Sequence, residues 1–264
     1  MDLGIAGRTA LVTGGARGIG AEISRTLLSE GCSVIVTSRH QKNIEEFVGG
    51  LPGTFHGKVH GITHSLELKN IDGLIDLLGS DRENIDILVN NAGDTLNVTY
   101  PFCSDSDWQS VMELNALFPI ALNARLLPQM IKRRWGRIVN ITSVAGQENS
   151  GPVPFSTAKA AVSAYSRSMG RVLAGISENV VMSAVFPGVV ATKGGHWDQI
   201  LKSDPERAER YLKERVPAKR FGTEREVANT VAFYCSALAS FSHGAIVPVD
   251  GGHAKHYMYQ NYMD

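Results

Sequence analysis

Seven short runs rich in β-branched residues recur along the chain, each separated from the next by enough sequence for a helix. They are TALVTGG, SVIVTSR, KVHGIT, IDILVNNAG, GRIVNITS, VVMSAVFPG and GAIVPVDGG. Near-continuous Val and Ile fits strands buried on both faces, as in a parallel sheet covered on two sides. The segments between them read as helices. GIGAEISRTLLSEG sets Ile19, Ile23 and Leu27 on one helical face and stops at Gly31. GTEREVANTVAFYCS opens on a capping box formed by Thr223 and Glu226. Strand, helix, strand throughout predicts an α/β fold, a doubly wound parallel sheet of about seven strands with helices on both faces.

At 264 residues the chain is long enough for one large buried core, and with no internal repeat or low-complexity linker residues 1–264 read as one domain. Lysine plus arginine equals aspartate plus glutamate, 26 each, which argues against nucleic acid or an anionic membrane as the main partner. Cys32, Cys103 and Cys235 are odd in number and far apart, so they suit neither a disulfide framework nor a metal site. The opening MDLGIAGRTALV lacks the charged start and long apolar stretch of a signal peptide, and no apolar run approaches a membrane span. The expectation is a soluble cytoplasmic protein that holds no metal.

The glycines carry the first chemistry. TGGARGIG, from Thr13 to Gly20, follows the first strand and opens the first helix. Glycine there lets the backbone turn sharply and approach a pyrophosphate seated on the helix's free N–H groups. The pattern is weak alone, but its place between strand and helix makes it a Rossmann-type dinucleotide site. The second strand ends in VTSRH, where an NAD site usually carries a carboxylate for the ribose 2′-hydroxyl. Ser38 and Arg39 stand there instead, and with Arg17 two guanidiniums are available to clasp a 2′-phosphate. NADP is therefore expected over NAD; the bland alternative is a pair of solvated arginines.

Together with four further motifs, these residues make the chain similar to the short-chain dehydrogenase/reductase family over nearly its whole length. The glycine motif T-G-x-x-x-G-x-G is Thr13, Gly14, Gly18 and Gly20, with Ile19 inside it. N-N-A-G after the fourth strand is Asn90, Asn91, Ala92 and Gly93. The helix asparagine matches Asn115, the active-site serine Ser143 and the lysine Lys159. P-G-x-x-x-T after the sixth strand is Pro187, Gly188 and Thr192, enclosing Val190. Five motifs in the right order are specific. The resemblance implies hydride transfer between a nicotinamide and a small carbonyl or alcohol substrate. In it the serine positions the substrate oxygen, the lysine holds the nicotinamide ribose, and the asparagine keeps a water that links the site to solvent.

Two positions depart from the family pattern. His64 stands where an aspartate beside the adenine is common, and Phe155 stands four residues before Lys159, where the family has its catalytic tyrosine. Four residues is about one helical turn, so positions 155 and 159 share a face. Phenylalanine has no donor, acceptor or titrating group. Losing a general acid costs roughly 10²–10⁴-fold in rate. Tyr165 lies about 80° around the helix and nearly three turns on, too far to substitute. Ser143, through a water held by Lys159, is the nearest replacement. Four readings stay open: an engineered Tyr→Phe form of a working reductase, a natural enzyme with a modified proton path, an inactive nucleotide-binding or regulatory homologue, and a changed reaction class.

Further residues bear on substrate and assembly. Asp94, Glu148 and Asn149 make the expected substrate pocket polar, which favours a hydroxylated or sugar-like molecule. Lys193 to Phe221 is long, charged and interrupted by Pro205 and Pro217, and its place after a strand end suggests an irregular lid. His196 and Trp197 fall where that lid would meet substrate; a plain loop contact is the alternative. The ending HAKHYMYQNYMD carries three tyrosines and two methionines, more than a free tail needs, and is expected to pack on its own or a neighbouring subunit. The resemblance implies a homotetramer or homodimer.

Overall fold

The computed structural model of the chain describes residues 1–255. The tyrosine- and methionine-rich ending beyond Lys255 lies outside the described residues. Seven strands form one parallel sheet: β1 (Thr9–Val12), β2 (Ser33–Ser38), β3 (Val59–Thr63), β4 (Ile85–Asn90), β5 (Gly136–Ile141), β6 (Val180–Pro187) and β7 (Ile246–Val249). Their order across the sheet is β3-β2-β1-β4-β5-β6-β7. All seven sequence runs become strands, but several stop early, because their terminal Thr, Asn and Gly residues turn out of the sheet to build loops.

The helices are α1 (Gly18–Ser29), α2 (Gln41–Gly49), α3 (Ile71–Leu78), α4 (Asp105–Met112), α5 (Phe118–Lys132), α6 (Val153–Ile176), α7 (His196–Ser203), α8 (Pro205–Arg215) and α9 (Glu224–Cys235). Alternate residues of each strand supply two cores. Ala10 and Val12 pack with Ile23 and Leu27 of α1, Phe47 of α2 and Val231 of α9. Leu11 faces the other way, with Leu74 of α3, Leu122 of α5 and Leu173 of α6. Strands β4, β5 and β6 are buried along their whole length, as their Val/Ile content requires. The edge strands β3 and β7 are only partly covered, having a neighbour on one side alone. Ile19 is half-buried because it lies at the mouth of the sheet rather than over its middle.

Two local expectations have different outcomes. Thr223 and Glu226 form the capping box that opens α9. The segment 193–221 is not irregular: it holds α7 and α8. Pro205 begins α8 rather than breaking it, since proline's missing N–H costs nothing in a first turn. The Asp204 side chain accepts from Arg207 N–H at 3.0 Å and caps that turn.

Candidate functional site

A parallel sheet presents all its carboxyl ends on one side, and where the strand order reverses the loops part and leave a crevice. Here the chain leaves β1 toward β2 and later returns beside β1 as β4. A cleft of about 440 Å³ opens at that point.

Its floor is the glycine loop. Gly14 and Gly18 hold φ of +62° and +53°, conformations that side chains disfavour. A Cβ on Gly20 would collide with the Gly14 carbonyl and the Asn91 side chain. The loop is tied to the end of β4. Thr13 Oγ1 accepts from Asn91 N–H at 3.0 Å and Ala92 N–H at 3.1 Å, while Asn91 Nδ2 donates to Thr13 O at 3.0 Å. Thr37 Oγ1, a contact with no local sequence signal, accepts from Gly14 N–H at 3.1 Å. The first residue of α1 follows Arg17, an extended residue whose side chain makes no cap, so among the described residues no side chain caps the first-turn N–H groups beside the cleft.

Ser38, Arg39 and His64 line the cleft at the ends of β2 and β3. Ser38 Oγ accepts from His40 N–H at 3.2 Å and from Asn43 Nδ2 at 3.3 Å. Arg17 and Arg39 are exposed, and among the described residues neither is paired with a carboxylate. His64 N–H donates to Ser38 O at 2.9 Å, and His64 Nε2 lies 3.0 Å from Asn70 O, which fixes the ring. Free helix N–H groups, a floor that admits no Cβ and two uncommitted guanidiniums fit a dinucleotide with an additional phosphate.

Beyond β4 and β5 the cleft becomes the place for chemistry. Ser143 Oγ accepts from Ala145 N–H at 3.1 Å, which fixes the oxygen and leaves its own O–H to donate. Lys159 is 4% exposed, and its Nζ donates to Ile141 O at 3.0 Å. Burial alone pulls its ammonium down to about 8. Phe155, one turn earlier on α6, is half-buried and lines the cleft, its ring centroid 5.6 Å from Lys159 Nζ. Pro187, Gly188, Val190 and Thr192 follow β6 along the opposite wall, Thr192 lying beside Gly18.

Asn115 lies behind the cleft, at the junction of two helices. It is 1% exposed, sits in a π-helical turn (Glu113–Leu117) between α4 and α5, and is not part of the cleft wall. Its Oδ1 accepts from Asp94 N–H at 3.1 Å, and its Nδ2 donates to Asp94 O at 2.7 Å and Val111 O at 2.9 Å. Its amide is spent on pinning the loop that carries Gly93 and Asp94. Asp94 does line the cleft, whereas Glu148 and Asn149 stand outside its wall. Glu148 Oε1 accepts from Lys255 N–H at 2.6 Å, so its carboxylate fastens the end of the described chain.

His196 and Trp197 open α7 and line the cleft. Sequence reading missed what anchors them. Trp197 packs on Tyr211 at 4.5 Å and Phe221 at 5.5 Å between ring centroids, and Tyr211 Oη lies 3.3 Å from His253 Nε2. These partners are 14 to 56 residues away in sequence, beyond any local pattern.

The geometry joins the glycine loop, N-N-A-G, serine and lysine at one crevice, and comparison with known proteins places it. The model of the short chain dehydrogenase family matches residues 8–198. The chain belongs to that family. Across 254 residues it is 37% identical to a 3-oxoacyl-[acyl-carrier-protein] reductase of Aquifex aeolicus, covering 96% of this chain and 99% of that protein. Among solved structures, L-sorbose reductase from Gluconobacter frateurii, complexed with NADPH and L-sorbose, superposes with a TM-score of 0.86. It is 28% identical, over 97% of this chain and 99% of that one. A 3-oxoacyl (acyl-carrier-protein) reductase from Agrobacterium tumefaciens C58 with NADP bound gives 0.85, at 28% identity over 95% of both chains. Membership in the short chain dehydrogenases accounts for the doubly wound sheet and for the motif order along it. Among the described residues no helix is long and apolar enough to cross a membrane.

Proposed function

We propose that this short chain dehydrogenase is an NADP-dependent oxidoreductase that moves a hydride between the nicotinamide and the carbonyl or alcohol carbon of a small polar substrate. The observation that carries the reading is the joining of an uncapped α1 N-terminus and Arg17/Arg39 to Ser143 and buried Lys159 in one cleft. The 2′-phosphate would lie against Arg17, Ser38 and Arg39, the pyrophosphate on the glycine loop and the α1 N–H groups, and the ribose by Lys159. NADPH or NADP in the sorbose reductase and acyl-carrier reductase structures supports that choice. Asp94 and His196 make the substrate end polar, which suits a hydroxylated or sugar-like molecule; the sorbose reductase is the supporting relative. In this reading the whole chain is one domain, α7 and α8 are its lid, and it assembles as a homotetramer or homodimer.

The bound nicotinamide supplies or takes up the hydride. The chain's own groups do the rest. Ser143, held by Ala145 N–H, directs its O–H at the substrate oxygen. Asn115 positions Gly93 and Asp94. Phe155 stands in the place of the family's tyrosine and can neither give nor take a proton, so the proton passes through Ser143 from the side of Lys159. Phe155 is also the observation that favours a second reading, an inactive nucleotide-binding or regulatory homologue.

Phe155→Tyr separates the two. The original and the variant are given NADPH with a panel of ketones and keto-sugars, then NADP with alcohols, and nicotinamide absorbance is followed. The enzyme reading expects turnover, raised roughly 10²–10⁴-fold by tyrosine. Tight NADPH binding with no hydride transfer in either form would establish the binding-protein reading.

A further inference from the structure

Lys159 is a buried cation whose surroundings leave most of its hydrogen-bonding capacity unspent. Its side chain is held between Gly93 and α6, where a Cβ on Gly93 would stand 2.8 Å from Nζ. Of its three N–H groups, one is given to a described protein atom, Ile141 O at 3.0 Å. Ile141 is the last residue of β5, and Ser143 follows two residues later, so Nζ is anchored at the strand end that carries the serine hydroxyl. On the other side Phe155 presents only a ring. In a site with a tyrosine, a phenol would stand on that side of the ammonium; here the unsubstituted ring of Phe155 does.

We propose that Lys159 is the acid of this chain, its ammonium supplying the proton that the substrate oxygen gains during reduction and Ser143 passing it on. The inference rests on the oxidoreductase reading above. In the step, the carbonyl carbon receives a hydride, with its two electrons, from the reduced nicotinamide. The carbonyl oxygen takes the Ser143 hydroxyl proton, Ser143 Oγ takes one from an intervening water, and that water takes one from Lys159 Nζ. Lysine is left as a neutral amine and is recharged by a proton from solvent. Oxidation of an alcohol runs the same transfers backwards, with the neutral amine as base.

The charge state of Nζ is set by burial, not by a neighbouring ion. Asp94 from the loop after β4, and Lys193 and His196 from the segment after β6, line the same cleft, yet none contributes to its shift. Arg17, Arg39 and His64 lie toward β1, β2 and β3; β2 and β5 are three strand spacings apart, roughly 14 Å. An ammonium lowered to about 8 is charged at neutral pH and able to release its proton there.

The test is single-turnover oxidation of NADPH with excess ketone from pH 6 to 10, on the original chain, Lys159→Arg and Phe155→Tyr. NADPH affinity is measured beside it by energy transfer from protein to nicotinamide fluorescence. The proposal expects the original chain's rate to fall tenfold per pH unit above about 8 while its NADPH affinity changes less than twofold. Arginine keeps a cation but does not deprotonate. Lys159→Arg should therefore lose roughly 100-fold or more in rate at saturating NADPH, beyond any loss of NADPH affinity measured beside it. With a phenol restored in Phe155→Tyr, the break near 8 should no longer govern the rate. A flat profile, or Lys159→Arg turning over like the original, would overturn the proposal. Turnover in Phe155→Tyr with none in the original would overturn it and leave the oxidoreductase reading standing. NADPH binding with no turnover in any form would bring down both.

Discussion

Asn115 and Asp94 hold each other as a peptide holds its partner in a sheet: the amide oxygen of Asn115 takes the Asp94 N–H, and its NH₂ returns a bond to the Asp94 carbonyl. Twenty-one residues separate them, and the pair joins the turn between α4 and α5 to the loop that closes over Lys159. Asn115→Ala leaves both backbone groups of Asp94 without that partner and should cost about 1–3 kcal/mol. Urea unfolding measures the loss. Hydride transfer should fall as well, because the loop carrying Gly93 is no longer held, while NADPH affinity changes less.

Gly20 has no room for a methyl group, since the Gly14 carbonyl and the Asn91 amide already occupy the space. Gly20→Ala should destabilise by about 1–3 kcal/mol through overpacking. It should also weaken NADPH binding, because the loop can relieve the clash only by moving away from α1. Fluorescence titration with NADPH checks the second effect and thermal unfolding the first.

Arg39 bears on the choice between the two nicotinamide cofactors. A hydrogen bond to a charged group is worth about 1.5–3 kcal/mol. Arg39→Ala is therefore expected to weaken NADPH roughly ten- to a hundredfold and to leave NADH nearly unchanged. Dissociation constants for both cofactors test it; equal losses for the two would mean Arg39 is solvated.

The three cysteines should react very differently. Cys32 and Cys235 are buried; burial pushes the Cys32 thiol up to about 12 and the Cys235 thiol well above its usual range. Cys103 is half-exposed. A colorimetric disulfide reagent at pH 8 should label one thiol per native chain and three after unfolding.

Acid should loosen the start of α9. Arg220, hydrogen-bonded to Glu226, and then the Thr223 backbone lower the Glu226 carboxyl from 4.5 to about 2. A carboxyl lowered on folding contributes stability above its unfolded value, and loses it as pH falls toward its folded one. The melting temperature should therefore decline between pH 4.5 and 2, and Glu226→Gln should reduce that slope.

The periodic and the local were legible in advance; the long-range pairing of polar groups was not. Seven Val/Ile runs announced seven strands, and Thr223 with Glu226 announced a helix start, because burial on two faces and reciprocal capping each have a short-range signature. Pro205 was misread for want of context: the same residue that breaks a helix interior suits a first turn, and only the Asp204 cap tells which applies. Asn115 was found by its motif, but its commitment to Asp94 was not, and Glu148 shares a loop with the cleft while its carboxylate faces Lys255. Side-chain direction across elements depends on the completed packing, which no short stretch of sequence carries.

The Thr13 hydroxyl takes two successive N–H groups from the end of the adjacent strand β4, Asn91 and Ala92, and the Asn91 amide returns a bond to Thr13. Three bonds across adjacent strands make the glycine loop and the N-N-A-G loop a single jaw. The opposite jaw, from Pro187 onward, is held at its base by backbone bonds from Gly188 to Val249 and from Gly222 to Val189, and farther out by aromatic contacts around Trp197. On the proposed lid reading, the adjustment that cofactor binding demands falls between Thr192 and Phe221, while Ser143 after β5 and Lys159, tied to Ile141 O, keep their places.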